Sequence, residues 1–289
     1  MRTVLVLGAT GLLGHQVMRV LARRFRVIGT TQRDEIPRRE FLSLDRRSFR
    51  YRIRAEEFET IRQVVSEVEP VVVVNCIGVV KNRFDEIPIS LAEVVNGVFP
   101  LQLSELCEQC RIRLIHISTD CVYSGQRGNY SETDQPDPID AYGRTKLRGE
   151  PNASGCLILR TSFIGRELDT RNGLVEWLRS QQGGRVPGYT QARFSGLTTA
   201  VLARLIDELI EQYPNLRGIW HVAGDSIDKC SLLRLVNKEL RLNVTIVPVD
   251  TVVCDRSLDG AAFRIQTGFL APSWPEMVAE LAIDSKLYD

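Results

Sequence analysis

Short aliphatic runs alternate along the chain with stretches whose apolar residues recur every three to four positions. Thr3–Leu7 is β-branched and aliphatic throughout, which predicts a buried strand. Residues 12–24 carry Leu13, Val17, Val20 and Leu21 on one stripe and predict a helix. Arg26–Thr30 predicts a second strand. Residues 55–69 predict a helix that Pro70 stops. The continuous apolar run at 71–74 suits a strand covered on both faces. Residues 89–110 are helical in period, with Pro100 marking a break or a new first turn. Strands are expected at Arg113–Ile117 and 157–159, with a helix over 141–150 between them. This alternation predicts an α/β fold, a Rossmann-type doubly wound parallel sheet over residues 1–160. Residues 161–289 are less regular. They predict helices at 174–181, 198–212, 231–240 and 275–281, and a strand at 218–222. Gly183-Gly184, Pro187-Gly188 and Asn172-Gly173 mark loops. We read this part as a smaller α/β substrate-binding cap, with about 198–222 returning to the first domain.

Composition narrows the function classes. The chain has 289 residues, and 37 Lys+Arg against 36 Asp+Glu give a net charge of +1. That balance argues against a nucleic-acid binder, which would be clearly basic. No apolar run approaches the roughly 20 residues of a membrane helix. The N-terminus lacks the pattern of a signal peptide. The seven cysteines are thinly spread, as expected for reduced thiols in the cytoplasm.

Gly8-Ala-Thr-Gly11-Leu-Leu-Gly14 follows the first predicted strand and opens the first predicted helix. Glycines at this point let the backbone turn tightly and approach a pyrophosphate, which the helix N-terminus then favours. Gly8, Gly11 and Gly14, with Thr10, Leu12 and Leu13 between them, are the expected cofactor loop. An acidic residue after the second strand would hold a ribose 2′-OH, whereas an arginine accommodates a 2′-phosphate. Here Gly29-Thr-Thr-Gln-Arg33 puts Arg33 at that place, which favours NADP(H) over NAD(H). Asp45 is a candidate acceptor for the adenine amino group. Eight arginines lie between Arg33 and Arg54, and most read as a solvated surface with local acidic partners.

Tyr142 and Lys146 are four apart on a predicted helix, so they project from one face. A nearby ammonium stabilises a phenolate and draws the tyrosine toward acid–base work at neutral pH. Ser118-Thr119-Asp120 follows the strand Arg113–Ile117. A hydroxyl there lies on the ligand side of a parallel sheet.

On these residues, with Asn75-Cys-Ile-Gly78, Asn96 and Arg160-Thr-Ser162 in the same order, the chain resembles the extended short-chain dehydrogenase/reductase family. It looks most like the dTDP-4-dehydrorhamnose reductase branch. His116-Ile-Ser-Thr-Asp-Cys-Val-Tyr-Ser-Gly125, Tyr142-Gly-Arg-Thr-Lys-Leu-Arg-Gly-Glu150 and Gly218-Ile-Trp-His-Val222 carry that likeness. The resemblance implies hydride transfer from NADPH to C4 of a nucleotide-linked 4-keto-6-deoxy sugar, in precursor synthesis for surface polysaccharide. Tyr142 would protonate the alkoxide. Lys146 would lower the Tyr142 pKa and hold the nicotinamide ribose, and Thr119 would bind the carbonyl oxygen. Cys76, Ile77 and Gly78 would lie along the cofactor. Related 4,6-dehydratases carry Asp-Glu after the Thr, but Cys121 stands after Asp120 here, which removes the base for elimination. A 4-epimerase uses the same Tyr and Lys and stays an alternative. A non-catalytic NADP-binding regulatory subunit is another, with the β subunit of methionine adenosyltransferase as precedent in this branch. The branch can hold Mg2+ at a homodimer contact, although no acidic cluster of this sequence maps to it.

The remaining candidates are local. Cys121 adjoins the expected active site. Asn172, Arg193 and Arg256 follow loops in the C-terminal third, and an arginine there suits a substrate phosphate. Cys107-Glu-Gln-Cys110 has no second pair and reads as helix packing. His116 and His221 read as satisfied core groups, His15 lies in the first helix, and no metal site is expected.

Overall fold

The computed structural model describes residues 1–36, 45–84, 86–151 and 155–288. The first half runs β1 (Thr3–Leu7), α1 (Gly14–Leu21), β2 (Arg26–Thr30), β3 (Phe49–Arg50), α2 (Phe58–Val68), β4 (Val72–Asn75), α3 (Ile89–Ala92), α4 (Phe99–Gln109), β5 (Arg113–Ile117), α5 (Ala141–Arg148) and β6 (Cys156–Arg160). The second runs β7 (Phe163–Ile164), α6 (Leu174–Ser180), β8 (Arg185–Tyr189), β9 (Ala192–Phe194), β10 (Leu197–Thr198), α7 (Thr199–Glu211), β11 (Gly218–His221), β12 (Ile227–Asp228), α8 (Lys229–Leu240), β13 (Thr245–Val249), β14 (Cys254–Asp255), α9 (Ala261–Thr267) and α10 (Trp274–Ser285).

Seven strands form one parallel sheet in the order β11-β6-β5-β4-β1-β2-β3. The unbroken apolar character of β1 has a direct cause. Val4 and Val6 pack with Val17 and Met18 of α1 on one face. Leu5 and Leu7 pack with Ile61 of α2 and with Phe99 and Leu103 of α4 on the other. Register then aligns the strand ends, with Leu7 beside Asn75 and Asn75 beside His116. The loops after β1, β4 and β5 therefore leave one edge of the sheet together, where parallel α/β sheets bind ligands.

The segment 89–110 is not one regular helix. A wider π-turn over Glu93–Val98 joins α3 to α4, and Pro100 stands in the first turn of α4. Proline has no N–H to give the carbonyl four residues back, here that of Asn96, and so disturbs the ladder at that point.

The C-terminal third departs further from the sequence-based expectation. Pro187 and Gly188 lie inside β8, not in a loop, and pair with Val247 and Pro248 of β13. Each of these two strands is an edge of its two-stranded ribbon, where prolines are tolerated. A Cβ on Gly188 would stand 2.6 Å from Ile246 Cγ2 and 2.8 Å from Cys230 Sγ, so the glycine serves close packing. Strands β12, β9 and β14 form a second small sheet. All its members have two or three residues, too few to show a period.

Candidate active site

The loop after β1 is built around missing side chains. Gly8 adopts φ +77°, and a Cβ there would lie 3.1 Å from the Cys76 carbonyl. A Cβ on Gly14 would lie 2.1 Å from the Gly8 carbonyl oxygen. The Gly11 N–H donates to that oxygen at 3.0 Å, so residues 12 and 13 turn and α1 starts only at Gly14. The Gly8 N–H donates to Thr30 Oγ1 at 3.2 Å, and Thr10 meets Thr31 at 3.1 Å, which ties the tips of β1 and β2. Leu13 is buried under the turn. The first turn of α1 has no acidic residue, so the helix dipole favours an anion there. This bare-backbone cradle fits a dinucleotide pyrophosphate.

The loop after β4 forms the next wall. The Ile77 N–H donates to Asn75 Oδ1 at 3.1 Å. Asn96, fully buried in the π-turn, accepts from the Val79 N–H at 2.8 Å and donates to the Val79 carbonyl at 3.0 Å. These bonds hold Gly78, whose Cβ would stand 3.9 Å from Lys146 Nζ. Burial pushes the Cys76 thiol up to about 12, against the pull of Lys146, so it stays protonated. The sequence reading quoted Asn96 for the family pattern but gave it no role. Its role depends on Gly149, where a Cβ would come 1.8 Å from the Asn96 carbonyl oxygen. The end of α5 thus lies directly on the π-turn.

Thr119, Tyr142 and Lys146 meet this wall. Lys146 is buried, and its Nζ donates to the Ile117 carbonyl at 2.9 Å. Burial draws its pKa down to about 8, against the carboxylate of Glu150 and the thiol of Cys76. Burial raises the Tyr142 phenol, as do Cys121, Asp120 and Asp140, while a hydrogen bond with Thr119 pulls it down. Thr119 Oγ1 donates to Asp120 Oδ1 and accepts from the Cys121 N–H, both at 3.1 Å. Asp140 caps α5 by accepting from the Gly143 N–H at 2.7 Å, and it pairs with Lys81 at 2.6 Å. Gly143 is required because a Cβ would lie 2.1 Å from the Cys121 carbonyl oxygen. The helix that carries Tyr142 is therefore seated on the loop that carries Thr119.

The other expected residues divide. Cys121 is in the site, with its thiol raised to about 12 by burial and Asp120. Arg256 is also there, donating to the Tyr123 carbonyl at 2.9 Å and facing Asp140 at 3.8 Å. Arg193 is engaged within the small sheet. It donates to Ser226 Oγ at 3.0 Å and faces Asp255 at 3.8 Å, its partner across β9 and β14. The Asn172 carbonyl accepts from Asn82 Nδ2 at 2.7 Å, which ties its loop to the one after β4. Arg33 lies beyond the tip of β2, where its Nη2 donates to Asp169 at 2.6 Å. Asp45 is placed away from the cradle. It caps the turn Arg46–Ser48 through the Arg47 N–H, and it lines a groove with Phe25–Ile28 at the start of β2. Of the arginine-rich stretch, Arg50, Arg52 and Arg54 face Glu67, Asp34 and Glu56, while Arg38 and Arg39 lie outside the described residues.

Sequence reasoning missed a buried chain of polar groups behind the site. Ser118 donates to Glu150 at 2.6 Å, and Arg160 binds the same carboxylate with both arms, at 2.9 and 2.7 Å. Arg160 also donates to the Tyr123 hydroxyl at 2.8 Å, which meets His221 at 3.2 Å. His221 is satisfied on its other nitrogen by the Tyr130 carbonyl. His116 meets Asn75 at 3.0 Å, but its Nε2 has no partner among the described residues, so the satisfied-core expectation holds for only half of that ring. Burial pushes His15 down to about 4, so it is neutral. All seven cysteines are free thiols. Among the described residues no helix is long and apolar enough to cross a membrane.

Known proteins are similar to this chain in sequence and fold. The family model described as the RmlD substrate binding domain matches residues 1–259. The probable low-salt glycan biosynthesis reductase of Haloferax volcanii is 31% identical, over 76% of this chain and 74% of that protein. The β subunit of methionine adenosyltransferase 2 from Xenopus tropicalis is 25% identical, over 78% of this chain and 67% of its own. A hypothetical dTDP-4-dehydrorhamnose reductase from Sulfolobus tokodaii superposes with a TM-score of 0.78 and 27% identity, over 95% of this chain and 98% of that one. With its parallel sheet, glycine cradle and Thr119, Tyr142 and Lys146 at one edge, the chain belongs to the RmlD substrate-binding family, in its dTDP-4-dehydrorhamnose reductase-like branch.

Proposed function

We propose that the protein reduces a nucleotide-linked 4-keto-6-deoxy sugar with NADPH, in the supply of precursors for surface glycans. The observation that carries this reading is the convergence of Thr119, Tyr142 and Lys146 beside the bare-backbone cradle of Gly8, Gly11 and Gly14. When bound, the cofactor supplies the hydride. The residues of this chain do the rest. Lys146 fixes the nicotinamide ribose with the protons it does not spend on the Ile117 carbonyl. Thr119 positions the substrate carbonyl by turning to it the hydroxyl proton that Asp120 Oδ1 accepts here. The Tyr142 phenol, held protonated by burial, donates its proton to the forming alkoxide. The likeness to the glycan biosynthesis reductase of Haloferax volcanii supports this reading. Arg33 would take the 2′-phosphate, sharing its guanidinium with Asp169.

The likeness to a methionine adenosyltransferase β subunit supports one second reading, a non-catalytic NADP-binding subunit. One experiment tests both. NADPH oxidation is followed with dTDP-, UDP- and GDP-linked 4-keto-6-deoxy sugars, for the wild type and for Tyr142→Phe. The wild type should turn over at least one substrate. Tyr142→Phe should bind NADPH normally but lose roughly 10²–10⁴-fold in kcat, the usual worth of a general acid. Undiminished turnover by Tyr142→Phe sinks the assignment. A wild type that binds NADPH but reduces none of the panel favours the regulatory reading.

A further inference from the structure

Lys229 has no place in the reading so far, and its surroundings ask for an anion. It is the first residue of α8, directly after the N-cap Asp228. A cation in the first turn of a helix works against the helix dipole. Its ammonium lies 4.2 Å from the centre of the Phe194 ring, and it makes no hydrogen bond and no ion pair among the described residues. The groups that act on its charge are Asp120, Cys121 and Cys254. Burial lowers its pKa, while the Asp120 carboxylate pulls the other way without pairing with it.

The small sheet explains why it stands there. Strand β12 pairs with β9, setting Ile227 beside Phe194 and Asp228 beside Arg193. Strand β14 pairs with the other side of β9. Lys229 and Arg256 follow the two strands that flank β9; β12 runs antiparallel to β9 and β14 parallel to it, so the chain leaves them at opposite ends, and the ammonium of Lys229 reaches back over Phe194. Arg256 faces Cys121, Cys254 and Asp120 as well. Both cations are within electrostatic reach of Asp120 and Cys121, which directly follow Thr119 in the loop where Gly143 of the Tyr142 helix is seated, and Arg256 is fixed there by the Tyr123 carbonyl and Asp140. Gly125 closes the back of this corner, since a Cβ there would stand 2.6 Å from Cys254 Sγ and 3.0 Å from Arg256 Cγ.

We propose that Lys229, together with Arg256, is the anion subsite that receives the diphosphate of the substrate, and that Arg193 stands outside it. The inference rests on the nucleotide-sugar reading given above. In such a substrate the diphosphate is attached at C1, across the ring from C4. A molecule with C4 at Tyr142 must then place its charge close to the same corner. The phosphates give Lys229 the partner that its surroundings lack, and charge-assisted hydrogen bonds in a partly buried site are among the stronger polar contacts.

The test compares Lys229→Met, which keeps the apolar stem over Phe194, with Lys229→Arg, which keeps the charge. UDP, dTDP and GDP are the probes, with uridine, thymidine and guanosine as controls that lack the diphosphate. Binding is measured by calorimetry on the full chain saturated with NADP+, and a thermal melt checks folding. Lys229→Met should weaken binding of the best nucleoside diphosphate by about ten- to a hundredfold. Lys229→Arg should restore most of the affinity. Nucleoside binding and the KM for NADPH should not move, and Arg193→Ala should leave diphosphate binding unchanged. Equal affinity of the wild type and Lys229→Met overturns the proposal, as does a wild type that binds none of the three diphosphates. Because this readout needs no turnover, it separates failure of the subsite from failure of the reductase reading, which the NADPH oxidation panel reports.

Discussion

Arg33 and Asp169 are 136 positions apart, yet the guanidinium of one is bound by the carboxylate of the other. That pairing bears on cofactor choice. An arginine after β2 favours a 2′-phosphate, but a carboxylate already on it competes for the same donors. Asp169→Ala should free the guanidinium and lower the KM for NADPH by up to roughly tenfold, the worth of one charge-assisted hydrogen bond. The KM for NADH should not change. Steady-state kinetics with both cofactors checks this, and an equal shift for the two would remove Arg33 from phosphate recognition. Lys229 makes the complementary point. A lysine in a polar stretch of sequence carries no signal, and only its contact with Phe194 and its neighbours Asp120 and Cys121 set it apart.

At the scale of elements, the π-turn before α4 and the end of α5 act as one unit. Pro100 has no N–H for the Asn96 carbonyl, and Gly149 lies against that carbonyl with no room for a methyl group. The same Asn96 holds the Val79 backbone with its side chain, and so sets the loop that faces Lys146. Gly149→Ala should therefore cost about 1–3 kcal/mol, as overpacking against unyielding backbone does. It should also raise the KM for NADPH by loosening that loop. Denaturant unfolding and cofactor kinetics measure the two effects. A variant as stable as the wild type would mean that the helix end can shift without loss. Each part of this unit is visible in the sequence as a Pro, a Gly or an Asn, but nothing in their spacing says that they touch.

Across the whole molecule, Glu150, Arg160, Tyr123 and His221 run from the end of α5 through β6 to β11. The ion pair at the centre has side chains only 4% and 5% exposed. Breaking such a pair from one side leaves a buried charge alone, which typically costs about 3–5 kcal/mol. Arg160→Met should lose stability on that scale in denaturant unfolding. Adding Glu150→Gln should recover part of the loss, because the stranded carboxylate is gone. A double variant less stable than Arg160→Met would show that the Glu150 carboxylate is stabilised without Arg160, through Ser118. The chain also carries Ser118, next to Thr119, so its integrity bears on catalysis as well as on folding.

The sheet, the glycine cradle and the Tyr142, Lys146 and Thr119 set were legible because each depends on residues close in sequence. Val-rich runs seal a strand on both faces, glycines permit a tight turn, and a spacing of four puts two side chains on one helix face. The C-terminal part was legible in the helices α6, α7, α8 and α10 but not in α9, Ala261–Thr267. Its strands are two to five residues long, and Pro187-Gly188 carries the composition of a turn while lying in a ribbon edge. Arg193, Arg256 and Lys229 look alike as charges in polar loops. Which of them points at a substrate depends on how β12, β9 and β14 pair, and that pairing is settled by contacts between segments about 35 and 62 residues apart. Local sequence therefore determined the cofactor half and its chemistry. The tertiary structure alone decided the electrostatics of the substrate half, because a counter-ion distant in sequence can neutralise a charge or leave it free.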